Sequence, residues 1–150
     1  MKVVKIPVSR RCDTPYLTAW QCYEMEVEYV VLDLDEVERV VRSDDRRVRY
    51  AVRRLLEELE ELGGHWEEMN KEIESCWRYG CDYPVTRFYD AMKADELEAG
   101  RAIEYWLRDA GVRVERCTEK WVAGRKVASC PGEETTPWHV ETAIKNVLRS

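Results

Sequence analysis

The sequence predicts an α+β fold, with strands at the N-terminus, helices in the centre, and a C-terminal half of helices and one β-hairpin. Two patterns carry this prediction. Apolar and polar residues alternate in 2–8 and 23–32, which is typical of strands. Further along, apolar residues recur every three or four positions, which is typical of amphipathic helices. We expect one compact domain over residues 1–150, with any sub-division falling between 1–80 and 81–150.

The two N-terminal segments are predicted to pair as antiparallel strands. Residues 9–22 would form the loop that joins them. In the second strand Glu24, Glu26 and Glu28 lie on one face, opposite the apolar face. The residues expected on the apolar faces are Val4, Ile6 and Val8 in the first strand, and Met25, Val27, Tyr29 and Val31 in the second.

The middle of the chain is predicted to be helical, and two paths are open. A short helix over 35–42 precedes Ser43-Asp44-Asp45, a sequence typical of a helix start. The next helix has an apolar stripe that resumes in phase beyond Gly63-Gly64 and ends near Gly80. One path is a single long helix that forms a coiled-coil dimer. The other is a helical hairpin folded at the glycines, which we favour because each glycine costs about 1 kcal/mol inside a helix. The stripe consists of Val48, Val52, Leu55, Leu59 and Leu62.

The six cysteines are predicted to form disulfides. If Ala123-Gly124 is the turn of a hairpin over 112–130, Cys117 faces Cys130 in a non-hydrogen-bonded pair, close enough for a disulfide. Two further pairs would close short loops: Cys76 with Cys81, and Cys12 with Cys22. Reduced cysteines are the main alternative, and zinc is disfavoured because no Cys-x-x-Cys motif is present.

After the hairpin, a last helix is expected over 137–149.

A further pattern lies in residues 85–130, which read as a short helix, a break at 93–94, a longer helix begun by Asp95, and a β-hairpin. The residues that carry the pattern are Val85, Phe88 and Met92, then Ile103 and Trp106. This order resembles a winged helix-turn-helix domain, which implies that the second helix enters the DNA major groove while the hairpin touches the backbone. By this resemblance the DNA contacts would be Arg101, Arg108, Arg125 and Lys126. The second helix is rich in acidic residues, so a protein-interaction role stays open beside DNA binding.

The long central helix is basic early and acidic late. Residues 39–54 contain seven arginines and two aspartates, whereas 57–74 contain eight glutamates and one lysine. Three interpretations compete: ion pairs within the helix, a patch that faces phosphates, and antiparallel self-association of two copies. The ion pairs would join Arg53 to Glu57 and Arg54 to Glu58, and the phosphate-facing patch would consist of Arg42, Arg46, Arg47 and Arg49.

Signals for catalysis are weak. The segment Val30-Val31-Leu32-Asp33-Leu34-Asp35 is similar to the first motif of haloacid-dehalogenase-type phosphatases, which would make Asp33 the nucleophile and Asp35 the acid/base. We prefer an interpretation in which these aspartates cap the following helix, because the chain carries no credible later motif of that family. We therefore expect no enzyme, and no cofactor, metal or small-molecule substrate.

The net charge and the amino-acid composition indicate which kinds of protein and which sources are consistent with the sequence. The net charge of −6 disfavours a nucleic-acid packaging protein, but not a local basic surface. One glutamine, two asparagines and many charged residues suggest a hyperthermophile, archaeal or viral source, where intracellular disulfides occur. No signal peptide or membrane span is evident, so we expect a cytoplasmic protein. The leading hypothesis is a dimeric DNA-binding regulatory protein, and the alternative is a non-catalytic structural or protein-interaction module.

Overall fold

The computed structural model describes residues 1–13, 22–81 and 85–150, so most of the predicted 9–22 loop lies outside the described residues. Within them the fold is α+β, with one five-stranded sheet and four helices. The strands are β1 (Val3–Cys12), β2 (Glu24–Asp33), β3 (Val114–Val122), β4 (Arg125–Ala128) and β5 (Glu133–Glu134). The helices are α1 (Leu34–Val41), α2 (Arg46–Tyr79), α3 (Thr86–Asp109) and α4 (Pro137–Arg149).

The sheet has the strand order β4-β3-β2-β1-β5. The predicted antiparallel pairing of the N-terminal strands is confirmed, and Val4 lies opposite Leu32. The predicted hairpin is confirmed as well, because Ala123 and Gly124 form its turn with φ values of 51° and 78°. Two positive φ angles twist a two-residue turn in the sense that the flanking strands need.

A short crossover connects the two edges of the sheet. β5 pairs in parallel with β1, whereas β4 lies at the opposite edge, so the chain between them crosses one face of the sheet. Cys130 lies in this crossover and is buried with Val27 and Tyr29, on the face opposite the helices. The sequence does not predict β5, because a strand of two residues shows no alternation.

The helices cover the other face of the sheet and enclose the main apolar core. This core includes Ile6 and Val30 from the sheet, Leu59 from α2, Ile103 from α3 and Ile144 from α4. It therefore draws residues from both sides of residue 80. α3 crosses β1 at very short range, and a Cβ atom added at Gly100 would lie 2.6 Å from the carbonyl oxygen of Pro7. Among the described helices, none is long and apolar enough to span a bilayer.

The central helix differs from the favoured prediction. α2 is one helix of 34 residues that runs through Gly63-Gly64, so the predicted fold-back at the glycines is wrong. The apolar stripe stays in phase across the glycines, and the side chain of Trp138 packs beside Gly63. We infer that this packing offsets the cost of the two glycines. The stripe lies inside the protomer, with Leu55 and Leu59 fully buried, so it is not free to form the predicted coiled-coil seam.

The chain folds back at the end of α2 instead. α3 runs antiparallel to α2. The C-terminal half of α2, which contains His65, Trp66 and Ile73, packs against the N-terminal part of α3. Beyond the main core, residues 65–81 and 85–95 form what we call the arm. The arm has an apolar cluster of its own, made of Ile73, Phe88 and Met92, with Trp66, Met69, Cys76 and Val85 packed against it.

The predicted break at 93–94 is also wrong. α3 is a continuous helix of 24 residues, and Asp95 lies inside it. The Asp95 side chain does not cap a helix but binds His65 of α2. Burial of Met92 and Ala99 against neighbouring elements keeps the helix continuous across this point. The order helix, turn, helix, hairpin is therefore not present in 85–130, and the winged-helix resemblance is not confirmed.

All three predicted cysteine pairs are disulfides. The Cα atoms of Cys117 and Cys130 are 5.9 Å apart, those of Cys76 and Cys81 are 4.9 Å apart, and those of Cys12 and Cys22 are 5.6 Å apart.

The strand pairing around Cys117 and Cys130 differs from the prediction. β4 ends before Cys130, and a bulge between Lys120 and Trp121 shifts the register of the hairpin. The disulfide thus fastens the crossover to β3 rather than joining two paired strands.

Candidate functional site

Four residues of the C-terminal half were expected to contact DNA, and three of them form hydrogen bonds or ion pairs within the protein. Arg101 donates a hydrogen bond to the carbonyl oxygen of Val8 at 2.8 Å. Arg108 donates to the carbonyl oxygen of Val114 at 3.1 Å. Lys126 forms an ion pair of 3.2 Å with Glu119. Arg125 is exposed in the hairpin, next to the turn.

These residues do not form one surface. Arg108 lies beside Val114, where β3 begins, whereas Arg125 follows the other end of β3, at Val122. A strand rises about 3.3 Å per residue, so a nine-residue strand separates the two by roughly 26 Å. The structure therefore does not bring the hairpin arginine together with Arg108 of α3.

The second predicted set lies together. Arg42 ends α1, and Arg46, Arg47 and Arg49 lie in the first turn of α2, only a few residues further on. Arg39 precedes Arg42 by about one turn of α1, and Arg53 follows Arg49 by about one turn of α2 and lines the same cavity as Arg42 and Arg49. All six side chains are exposed, and none forms an ion pair with any described residue. We call this surface the basic end; it consists of Arg39, Arg42, Arg46, Arg47, Arg49 and Arg53.

The basic end also contains the start of a long helix. The first turn of α2 has no acidic residue, and Asp45 caps the helix by accepting a hydrogen bond of 2.8 Å from the amide of Arg47. The start of a helix carries a partial positive charge, so the electrostatic potential of the α2 N-terminus adds to that of its arginines. This arrangement is unfavourable for the helix alone but favourable for an anion bound outside it.

The interpretation of these arginines as partners within the helix is wrong in its details. Arg53 and Glu57 do not form an ion pair, and neither do Arg54 and Glu58. Arg54 binds Glu57 at 2.9 Å instead. The guanidinium of Arg53 lies 5.5 Å from the ring centre of Tyr50, over its face. Within the described residues, an ion pair therefore neutralises one arginine of the stretch, Arg54, and none of the six arginines of the basic end.

Comparison of the chain with protein-family models, with curated proteins and with solved structures found no match.

The aspartates that resemble a phosphatase motif have a structural role. Asp33 is the N-cap of α1, and its carboxylate accepts a hydrogen bond of 3.0 Å from the amide of Asp35. The preferred interpretation as a helix cap is thus confirmed for Asp33, whereas Asp35 lies in the first turn of α1. In the described ranges, no group of three or more His, Cys, Asp or Glu side chains is placed to hold a metal ion.

Sequence reasoning missed one buried charged network. Lys5 binds Glu119 at 2.5 Å on the crossover face, and Glu119 also accepts a hydrogen bond of 3.0 Å from the amide of Cys130. Burial raises the pKa of Glu119, but hydrogen bonds from Lys5, Cys130 and Lys126 outweigh it and hold the pKa below its ordinary value. A lysine among the apolar residues of β1, and a glutamate within β3, were the available signal. The network anchors the crossover and does not form an open site.

Proposed function

We propose that this protein binds double-stranded DNA without catalysis, through phosphate contacts made by the basic end. The observation that carries the proposal is the set of six exposed arginines that lack any ion-pair partner among the described residues. Arginine binds phosphate oxygens through two parallel hydrogen bonds, and each such contact releases counterions from DNA.

The charge of the whole protein supports a restricted contact surface. With a net charge of −6, DNA would be repelled by most of the molecule and attracted to its basic end. Phosphate contacts fix the position of a protein on DNA but carry no sequence information, so the proposal is limited to backbone binding. It does not use α3 as a recognition helix, since Arg101 and Arg108 are bonded to backbone carbonyls.

The experiment is a fluorescence anisotropy titration of a labelled duplex at low salt, repeated at increasing salt. We expect saturable binding that weakens steeply with salt and is similar for unrelated duplex sequences. An unchanged anisotropy at low salt, or binding that is insensitive to salt, would reject the proposal.

A second candidate function is self-association through the end of the arm. Trp77 is 75% exposed and Tyr79 is 83% exposed, and both lie between the two cysteines of the disulfide at the end of α2. Large aromatic side chains in solvent are characteristic of contact surfaces. This surface and the basic end lie at opposite ends of α2, about 50 Å apart.

Sedimentation velocity separates this candidate from the first. Association that is lost in Trp77→Ser/Tyr79→Ser and kept in Arg46→Gln/Arg47→Gln favours the arm as a contact surface. A monomer at all concentrations rejects self-association and leaves the DNA proposal unaffected.

A further inference from the structure

The basic end borders a large cavity. It measures about 630 Å³ and lies between the turn joining α1 to α2, the first half of α2 and the last turns of α4. Its size falls within the usual range of small-molecule sites. Much of its lining is apolar, and Leu148 at its edge is 51% exposed although it is a large aliphatic residue. The apolar lining residues are Val41, Val52, Leu56, Val147 and Leu148.

Three arginines of the basic end line the same cavity. They are Arg42, Arg49 and Arg53, and no ion pair joins any of them to the described part of the chain. Because the cavity joins guanidinium groups to an aliphatic surface, its chemistry is amphipathic. Inorganic phosphate would leave the aliphatic part unfilled, whereas an uncharged hydrocarbon would leave the arginines without partners.

The acidic residues of the lining do not cancel this charge. Glu57 is bound by Arg54 at 2.9 Å, and Glu60 is bound by Lys145 at 3.1 Å. Asp44 is the only other acidic residue in the lining, so three arginines face one carboxylate that has no ion-pair partner among the described residues. The lining itself contains three arginines and three acidic side chains, so its positive surplus comes from Arg54 and Lys145, although Glu141 shares Lys145 at 3.5 Å.

We propose that this cavity binds a small amphipathic anion, with an aliphatic body on the apolar lining and a carboxylate on Arg49 and Arg53. A carboxylate is the planar group that a guanidinium binds through two hydrogen bonds. An aliphatic body is favoured because the lining contains valine and leucine and no aromatic side chain. This proposal goes beyond DNA binding and does not rest on it, although Arg42, Arg49 and Arg53 belong to both surfaces.

The test uses dodecanoate below its micellar concentration and isothermal titration calorimetry on the full chain. Dodecanol and dodecyltrimethylammonium have the same hydrocarbon tail and replace the carboxylate with a neutral or a cationic head. We expect dodecanoate to bind at one site per chain and at least tenfold more tightly than either control. Equal binding of the three compounds, or no saturable binding of dodecanoate, would overturn the proposal.

Two matched variants locate the site. Arg49→Gln/Arg53→Gln removes two cavity arginines, whereas Arg46→Gln/Arg47→Gln removes two exposed arginines that do not line the cavity. The first pair should weaken dodecanoate binding at least tenfold, since a hydrogen bond to a charged group contributes on that order. The second pair should leave it within twofold. Equal losses in both pairs would show that dodecanoate binds to general positive charge and would overturn the assigned site.

A third variant tests the apolar part. Leu148→Glu places a negative charge at the edge of the cavity, at a position exposed enough to tolerate it. It should weaken dodecanoate binding, and unchanged binding would contradict the location. If dodecanoate binds as expected while duplex DNA does not, the DNA proposal fails and the cavity proposal stands.

Discussion

The Nδ1 atom of His65 lies 2.5 Å from the Oδ2 atom of Asp95 and thereby joins α2 to α3 where the arm leaves the main core. Asp95 is almost fully buried, whereas the His65 side chain is half-exposed. The hydrogen bond and the charge of Asp95 raise the pKa of His65 above its ordinary value of 6.5. The pair is thus a link between the two helices that depends on the protonation of one histidine.

This link should make the stability of the protein depend on pH. Because the folded-state pKa of His65 is raised, its stabilisation is fully present below the unfolded value and is lost as the pH rises through the folded value. The loss of Tm in His65→Gln should therefore be larger at about pH 5 than at about pH 9. The matched control is His139→Gln, at an exposed position that forms no ion pair with the described residues. Thermal melts that show the same loss for His65→Gln at both pH values would contradict the link.

Two glycines should respond to alanine in opposite directions. Gly100→Ala would place a methyl group 2.6 Å from the backbone oxygen of Pro7, so α3 and β1 must separate. We expect a loss of about 2 kcal/mol in the free energy of unfolding. Gly64→Ala meets no atom within 4 Å and should stabilise α2 by about 1 kcal/mol. Urea unfolding of both variants measures the two effects, and a loss in Gly64→Ala would argue against a continuous α2.

Glu104 and Arg116 connect α3 to β3. The guanidinium of Arg116 donates two hydrogen bonds to the Glu104 carboxylate, at 2.5 Å and 2.6 Å. Glu104→Gln should lower the free energy of unfolding by about 2 kcal/mol, less than for a fully buried pair because Arg116 is partly exposed. Glu28→Gln also removes a partner of Arg116, but an exposed one, and should cost less than about 0.5 kcal/mol.

The stabilisation from the Glu104 and Arg116 pair should also depend on pH in the acidic range. Hydrogen bonding from Arg116 lowers the pKa of Glu104 below 4.5 despite its burial. Its stabilisation is present above the unfolded value and is lost as the pH falls through the folded value. The difference between the parent protein and Glu104→Gln should therefore shrink in acid. A difference that stays constant down to about pH 2 would contradict this account.

The sequence predicts elements well where a local pattern is sufficient. Alternation finds β1 and β2, and capping residues find the starts of α1, α2 and α4. The Cys117 and Cys130 pair was predicted from a hairpin register that the bulge in fact changes, so the outcome was right for a different geometric reason.

Errors arise where long-range packing decides between local alternatives. Gly63-Gly64 and Lys93-Ala94 both resemble helix ends, but burial on either side keeps each helix continuous. Asp95 has the spacing of a helix cap, yet its partner is His65, thirty positions earlier. The basic end was visible as a run of arginines, whereas their lack of ion-pair partners depends on where every carboxylate lies in the fold.

The salt dependence of duplex binding tests the DNA proposal most directly, because it counts phosphate contacts. Each arginine that neutralises a phosphate contributes about 0.9 to the slope of log affinity against log salt. Arg46→Gln/Arg47→Gln should therefore reduce the slope by about two, whereas Arg87→Gln/Lys93→Gln, which removes two exposed charges of the arm, should leave it unchanged. Equal slopes for the parent protein and the Arg46→Gln/Arg47→Gln variant, or an equal reduction in the arm variant, would contradict a role for the basic end.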